Sequence, residues 1–352
     1  MNRREFLLAS AAFHTPLLAL DEHPVRLSLD PARKLGPIPP DFIGLGYEIS
    51  SVAAGIFSAD RHDYVALVKK LGSNGVIRIG GNTSDDAFFR AQGRSVSAPK
   101  GTIVNGDNLR QLGAFLAATR WKLIWGLNLG SGTVAQAVEE AKAVSSAAKD
   151  NLLAFEIGNE PDLFGRGTSH RPSNYSYQDY LREYRTYKTA IRRELPGASF
   201  AGPDAASATD WVTRFAADEG RDLVLLTHHY YRECAKPSST IEKLLGPDPK
   251  LAPQLQELRT AARATHVPYR ICEVNSFCGG GKPGVSDTLA SALWVLDYMF
   301  TLAWAGAAGV NIETGVNQLG WMSWYSPLIT DNSGNVFTRP EFSGMLAFAY
   351  AS

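Results

Sequence analysis

Two periods of apolar and polar positions alternate along the chain. Short, almost continuous apolar runs that close on polar residues recur eight times, at 41–50, 74–82, 121–130, 151–160, 198–206, 222–231, 269–277 and 308–315. Between them, at 58–72, 105–119, 133–149, 176–195, 209–219, 251–265, 286–305 and 340–350, apolar residues fall three and four apart. The first kind of run predicts strands buried on both faces, and the second predicts amphipathic helices, with Ser58 as the cap of the first helix. Eight strand–helix units in succession predict an α/β fold, the (β/α)8 TIM barrel. An open doubly wound sheet shares the alternation, but the G-x-G-x-x-G fingerprint with its downstream acid is missing.

Two flanking segments fall outside the eightfold pattern. Residues 1–20 carry Arg3-Arg4, then Glu5-Phe6-Leu7 and a short apolar run to Leu20, the pattern of a twin-arginine signal peptide. The run is too short for a membrane span, which needs roughly 20 apolar residues; cleavage is expected near residues 19–21, and the protein is expected to be exported to the periplasm or the medium. Residues 21–40 hold a strand-like VRLSL and a proline-rich connector. That strand is expected to belong to a missing or partial β-sandwich domain beside the barrel. Residues 41–352 form the barrel, and because the sequence stops inside the eighth helix a C-terminal β-domain is expected to be absent.

Charge narrows the ligand. Lys plus Arg and Asp plus Glu both number 35 in 352 residues, and no long run of one sign occurs. Nucleic acid, anionic membrane and highly sulfated polyanions are therefore poor partners. The three cysteines, Cys234, Cys272 and Cys278, are odd in number and lack zinc-ribbon spacing, so they read as buried thiols rather than a disulfide framework.

In a barrel of this kind the active site lies where the strands end. Those positions are rich in polar groups: Tyr47-Glu48, Gly80-Gly81-Asn82, Asn128, Asn159-Glu160, His228-His229-Tyr230-Tyr231, Glu273-Val274-Asn275, Asn311 and Glu313. Glu160 and Glu273 close strands four and seven, on nearly opposite sides of the mouth. Two carboxyl groups facing across a pocket are what glycoside hydrolysis requires. The alternative is that they form ion pairs with Arg78 or Lys122, which also lie on strands.

Four segments, EIGNEPD, THHYY, CEVNSF followed by GGGKPGVSD, and IRIGGNTSD, together resemble glycoside hydrolase family 79, the β-glucuronidases and heparanase-like enzymes. The resemblance runs over residues 25–350. It implies a retaining mechanism with Glu160 as general acid/base and Glu273 as nucleophile. It also implies that Asn159 bonds the sugar 2-hydroxyl, that Tyr230 holds the nucleophile or the substrate carboxylate, that one of His228 and His229, taken as His229, faces the pocket, and that Glu48 binds sugar hydroxyls. The loop from Cys278 to Gly284 is the candidate anion site, through the backbone N–H groups of Gly279 and Gly280 with charge from Lys282. Here the chain departs from the heparanase pattern, which has a tyrosine where this chain has Cys278. Tyr325 resembles the family's sugar-binding tyrosine, while Trp321 and Trp324 either stack on the sugar or cap the barrel.

No cofactor is expected. A catalytic zinc would need three converging ligands from Cys234, Cys272, Cys278, His228 and His229. The first reading is an exo-β-glucuronidase acting on terminal glucuronic acid, with 4-O-methylation a variant. Heparanase-like endo-cleavage and a non-catalytic carbohydrate-binding protein are the alternatives. Oligomeric state is not legible.

Overall fold

The structure, a computed structural model, describes residues 36–166, 170–315, 323–331 and 334–352. All eight predicted strands form: β1 Ile43–Glu48, β2 Val76–Gly80, β3 Lys122–Leu127, β4 Leu152–Ile157, β5 Phe200–Ala205, β6 Leu223–Tyr231, β7 Tyr269–Asn275 and β8 Gly309–Glu313. They pair in parallel in chain order, and β8 closes on β1, giving the (β/α)8 barrel. Closure removes the two edges that an open doubly wound sheet would leave. The longer helices are α1 His62–Lys70, α2 Gly106–Thr119, α3 Val134–Ala148, α4 Tyr177–Glu194, α5 Thr209–Glu219, α6 Leu251–Thr265, α7 Leu289–Ala305 and α8 Pro340–Ala351, with two five-residue helices at Ile49–Ala53 and Ile241–Leu245.

Local signals fix many helix starts. Asn105, Thr133 and Ser176 cap α2, α3 and α4, each side chain accepting from a backbone N–H three residues on while that residue's side chain answers. Ser58 does not cap α1. Its hydroxyl accepts from the N–H of Asp60 in a preceding turn, and α1 begins after Arg61 without a side-chain cap. Two small additions were not legible in the periodicity: a parallel pair of Ala87–Arg90 with Thr102–Asn105, and a hairpin of Leu328–Thr330 with Val336–Thr338. The signal segment, the VRLSL strand and Trp321 lie outside the described residues. Among the described residues no helix is long and apolar enough to cross a membrane.

The main apolar core lies between barrel and helices, and a smaller cluster of Val76, Ile124, Ala154, Ala201, Leu225 and Cys272 fills part of the barrel interior. Arg270 closes the lower barrel by donating to Asn311 and to the carbonyls of Asp41, Phe42 and Val310. The side chain of Glu313 crosses toward β1, where Gly46 leaves it room: a Cβ there would sit 2.5 Å from Glu313 Oε2. The upper interior is charged rather than apolar, and this layer carries the site.

Candidate active site

Strand β4 ends in a tight turn over Gly158-Asn159-Glu160-Pro161. Glu160 has φ +50°, a left-handed conformation uncommon for a residue with a side chain. Pro161 disfavours the right-handed helical alternative. The N–H of Glu160 donates to the carbonyl of Asp204 at 3.0 Å, which ties the turn to β5. Two buried aspartates brace it further. Asp85 accepts from the N–H groups of Leu129, Gly130 and Asn159, and Asp162 from those of Ala206, Ser207 and Ala208.

Across the mouth, Glu273 at the end of β7 accepts from Arg78 Nη1 at 2.8 Å and from the Tyr231 hydroxyl at 3.0 Å. One carboxylate oxygen of Glu160, one of Glu273 and a ring nitrogen of His229 all lie within 4.8 Å of one another. His229 is the link: Nδ1 is 3.0 Å from Glu160 Oε1, and Nε2 is 2.8 Å from Asp204 Oδ1. Arg78 lies fully buried beneath, bonded to Glu156 and to the side-chain oxygens of Asn159 and Asp204 as well as Glu273.

These groups open on a cavity of about 610 Å³ at the C-terminal mouth of the barrel. Glu48 and Glu313 line it, as do Gly279, Gly280 and Tyr325. The three glycines 279–281 have φ between +78° and +87°, values that glycine adopts without steric cost. The carbonyl of Gly280 receives the N–H groups of Trp324 and Tyr325, whereas the N–H groups of Gly279 and Gly280 donate to no protein acceptor among the described residues. Next to this loop Cys278 forms a disulfide with Cys234, and both cysteines line the cavity.

No family model matches the chain. It is 26% identical over 307 residues to a β-glucuronidase of Aspergillus niger, covering 78% of this chain and 56% of that one. It is 25% identical over 402 aligned positions to a β-glucuronidase of Neurospora crassa, covering 99% and 69%. The chain is a relative of the β-glucuronidases. It spans a little over half the length of the Aspergillus protein. Among solved structures, a 4-O-α-L-rhamnosyl-β-D-glucuronidase from Fusarium oxysporum shares the fold with TM-score 0.71 and 21% identity, over 89% of this chain and 70% of that one. A family 51 α-L-arabinofuranosidase from Bifidobacterium longum does so with TM-score 0.62 and 15% identity, over 90% and 73%.

In this β-glucuronidase relative the expected residues Glu48, Glu160, Glu273, Gly279, Gly280 and Tyr325 all line one cavity. Asn159 lies just behind, 3% exposed, with its carbonyl oxygen held by Arg78. Neither histidine of the pair lines the cavity: His229 is fully buried beneath it, where it touches Glu160 and Asp204, and His228 is buried as well. Tyr230 is a correction. Side chains alternate along a strand, so Tyr230 points outward to Asp248 and stacks on Tyr298, while Tyr231 faces Glu273. Lys282 is a second correction, because it does not line the cavity. The cysteines are a third: only Cys272 is a buried thiol, and the zinc set cannot converge because Cys234 and Cys278 are bonded to each other. The ion-pair alternative holds in part, since Arg78 does pair with Glu273; Lys122 instead reaches the carbonyl of Asp150. Sequence reasoning missed Asp204 and the bracing pair Asp85 and Asp162. A Gly-Pro-Asp at the end of the fifth apolar run was the available signal.

Environment sets the charges. Burial raises the pKa of Glu160, and the Glu273 charge adds to this, while His229 pulls the other way. Burial opposes ionisation of His229, but Asp204 and Glu273 more than offset it and hold the imidazole well above its ordinary range. Burial also works against an ionised Asp204, yet Arg78 and His229 win and hold it below the usual carboxylate range. Glu48 is pushed up to about 7, mainly by burial, with Thr83 pulling down and Glu273 pushing up.

Proposed function

We propose that this chain is a retaining exo-β-glucuronidase that removes terminal β-D-glucuronic acid from glycans or glucuronides. The single observation that carries the mechanism is the approach of Glu160 and Glu273 to within 4.8 Å. Retaining glycosidases hold the two carboxyl groups about 5–5.5 Å apart, whereas inverting ones need about 6.5–9.5 Å for an intervening water.

Glu273, held at both oxygens by Arg78 and Tyr231, attacks the anomeric carbon as its bond to the leaving oxygen breaks. Glu160 gives that oxygen its proton. A glycosyl ester then links the sugar to Glu273, and the negative charge that helped keep Glu160 protonated is gone. Glu160 next takes a proton from water, whose oxygen attacks the anomeric carbon and frees Glu273. We assign the 2-hydroxyl to Asn159, the residue before the acid. The uncommitted N–H groups of Gly279 and Gly280, next to Tyr325, suit the sugar carboxylate. The names of the two fungal relatives support the choice of sugar. Many carboxyl groups in the cavity wall disfavour the heparanase-like alternative, whose sulfated chains seek basic clefts. Export is supported by the Cys234–Cys278 disulfide, which suits an oxidising compartment.

The test is hydrolysis of an aryl β-glucuronide with product configuration followed by NMR. Retained configuration, turnover of glucuronide but not glucoside, and a Glu273→Ala variant inactive until azide is added are expected. An inverted product refutes the mechanism. Glucuronide binding without turnover establishes the non-catalytic alternative.

A further inference from the structure

The carboxyl groups on the cavity wall divide by the partners they have. Glu273 is matched by Arg78, Glu160 by His229, and Glu233 by Lys236 and Lys243. Glu48 has only neutral donors, the N–H groups of Asn82 and Thr83 and the Thr83 hydroxyl at 2.6 Å. Glu313 makes no side-chain hydrogen bond among the described residues, although it is 4% exposed and lines the cavity. No described lysine or arginine lines the wall. An anionic sugar entering here meets two carboxyl groups that have no cation of their own among the described residues.

We propose that Glu48 and Glu313 admit the uronate as neutral acids, so that its binding takes up a proton from solvent onto this pair and Glu313 donates an O–H to the bound sugar. The inference rests on the glucuronidase reading and adds to it a determinant of specificity. A neutral carboxylic acid supplies a donor where a carboxylate would offer only acceptors and repulsion. Its oxygen Oε2, lodged over Gly46 without a partner, is the carbonyl, which leaves the other oxygen to carry the proton.

The surroundings favour this state. Among the described residues, Tyr47 and Glu48 face Glu313 from β1, His229, Tyr231 and Glu273 from β6 and β7, and Arg78 and Tyr325 from β2 and the segment after β8. Glu48 is faced by Asn82, Thr83, Glu273, Glu313 and Tyr325. Burial raises the Glu313 pKa well above the usual carboxylate range, and the charges of Glu273 and Glu48 add to it, outweighing Arg78 and His229. Glu48, at about 7, is the member that ionises first as pH rises.

The full chain carrying Glu160→Gln, which removes the acid that an alkyl leaving group needs and the titration of the acid itself, is titrated calorimetrically with methyl β-D-glucuronide in two buffers of different ionisation enthalpy. Expected is uptake of about half to one proton per ligand near pH 7.5 and none near pH 5, with affinity weakening by up to about tenfold per pH unit above neutrality. Adding Glu48→Gln and Glu313→Gln should abolish both the uptake and the slope, with thermal unfolding confirming that the variant is folded. Binding without uptake near pH 7.5 overturns the proton linkage and leaves the glucuronidase reading standing. Uptake undiminished in the triple variant overturns its assignment to this pair. Failure to bind at any pH, in Glu160→Gln and in the unsubstituted chain alike, overturns the glucuronide reading and the linkage together.

Discussion

Opening the Cys234–Cys278 disulfide tests stability and substrate binding in one perturbation. The bridge closes a loop of 44 residues between the end of β6 and the glycine loop after β7. Restricting the unfolded chain over a loop of that length is worth about 4 kcal/mol. With an unfolding entropy of about 2.1 cal/mol/K per residue over 352 residues, that corresponds to a fall in Tm of about 5 °C. The same bridge holds Cys278 beside β6, where its N–H donates to the carbonyl of Glu233 and its own carbonyl receives the N–H of Ala235. Gly279 and Gly280 follow directly, so freeing Cys278 loosens the N–H groups assigned to the sugar carboxylate. A hydrogen bond to a charged group is worth about 1.5–3 kcal/mol, so losing one raises KM for an aryl glucuronide about 10- to 100-fold, with a smaller change in kcat. The comparison is between the unreduced chain and a Cys234→Ser/Cys278→Ser double variant, by calorimetry and steady-state kinetics. A double variant with Tm within about 1 °C of the parent and an unchanged KM refutes both parts of the argument.

The adjacent tyrosines of β6 should separate cleanly. Tyr231→Phe removes a donor from Glu273 and is expected to lower kcat/KM about 10- to 100-fold, whereas Tyr230→Phe loses its bond to Asp248 on the outer face and should alter stability by about 1 kcal/mol with kcat unchanged; equal kinetic losses contradict the orientation of the strand. A second contrast concerns Glu140, buried beneath Trp125 Nε1 at 2.8 Å, whose pKa burial pushes from 4.5 to about 7 against the pull of that bond. A carboxyl raised in the folded state stabilises it fully below the unfolded value, and that contribution is lost as pH rises from about 4.5 to about 7. Glu140→Gln should therefore be close to neutral near pH 4 and stabilising by up to about 3 kcal/mol near pH 8, read from urea midpoints. The same effect at both pH values refutes it.

The barrel was legible because its signal is repeated. Every one of the eight apolar runs became a strand, since a strand covered on both faces needs continuous apolar character and little else. Glu160 and Glu273 were legible because strand ends define the mouth. Contacts that depend on register were not. Whether Tyr230 or Tyr231 faces inward is a matter of one residue, and β6 carries a register irregularity at His228 and His229 that periodicity does not reveal. The disulfide was hidden for another reason. An odd cysteine count argued for thiols, yet one thiol, Cys272, sits inside the barrel and leaves the other two to meet at the mouth. Asp204 escaped because its role comes from neighbours on other strands, Arg78 and His229, rather than from its own surroundings in the chain.

The buried layer beneath the cavity explains why two glutamates so close together can take different roles. Four carboxyl groups, Glu156, Asp204, Glu160 and Glu273, surround two cations, Arg78 and a charged His229. Charge balance in a low-dielectric interior then calls for two of the four to hold protons. Arg78 reaches Glu273 and Asp204, and His229 bonds Asp204 and lies 3.8 Å from Glu273, so these two face both cations while Glu156 and Glu160 each pair with one. Glu156 is pushed up to about 7 by burial and by Asp204 despite Arg78, and Glu160 is raised by burial and by Glu273 despite His229. The protons therefore rest on Glu156 and Glu160. That distribution leaves a proton on the carboxyl at β4, as the acid assistance proposed for Glu160 requires.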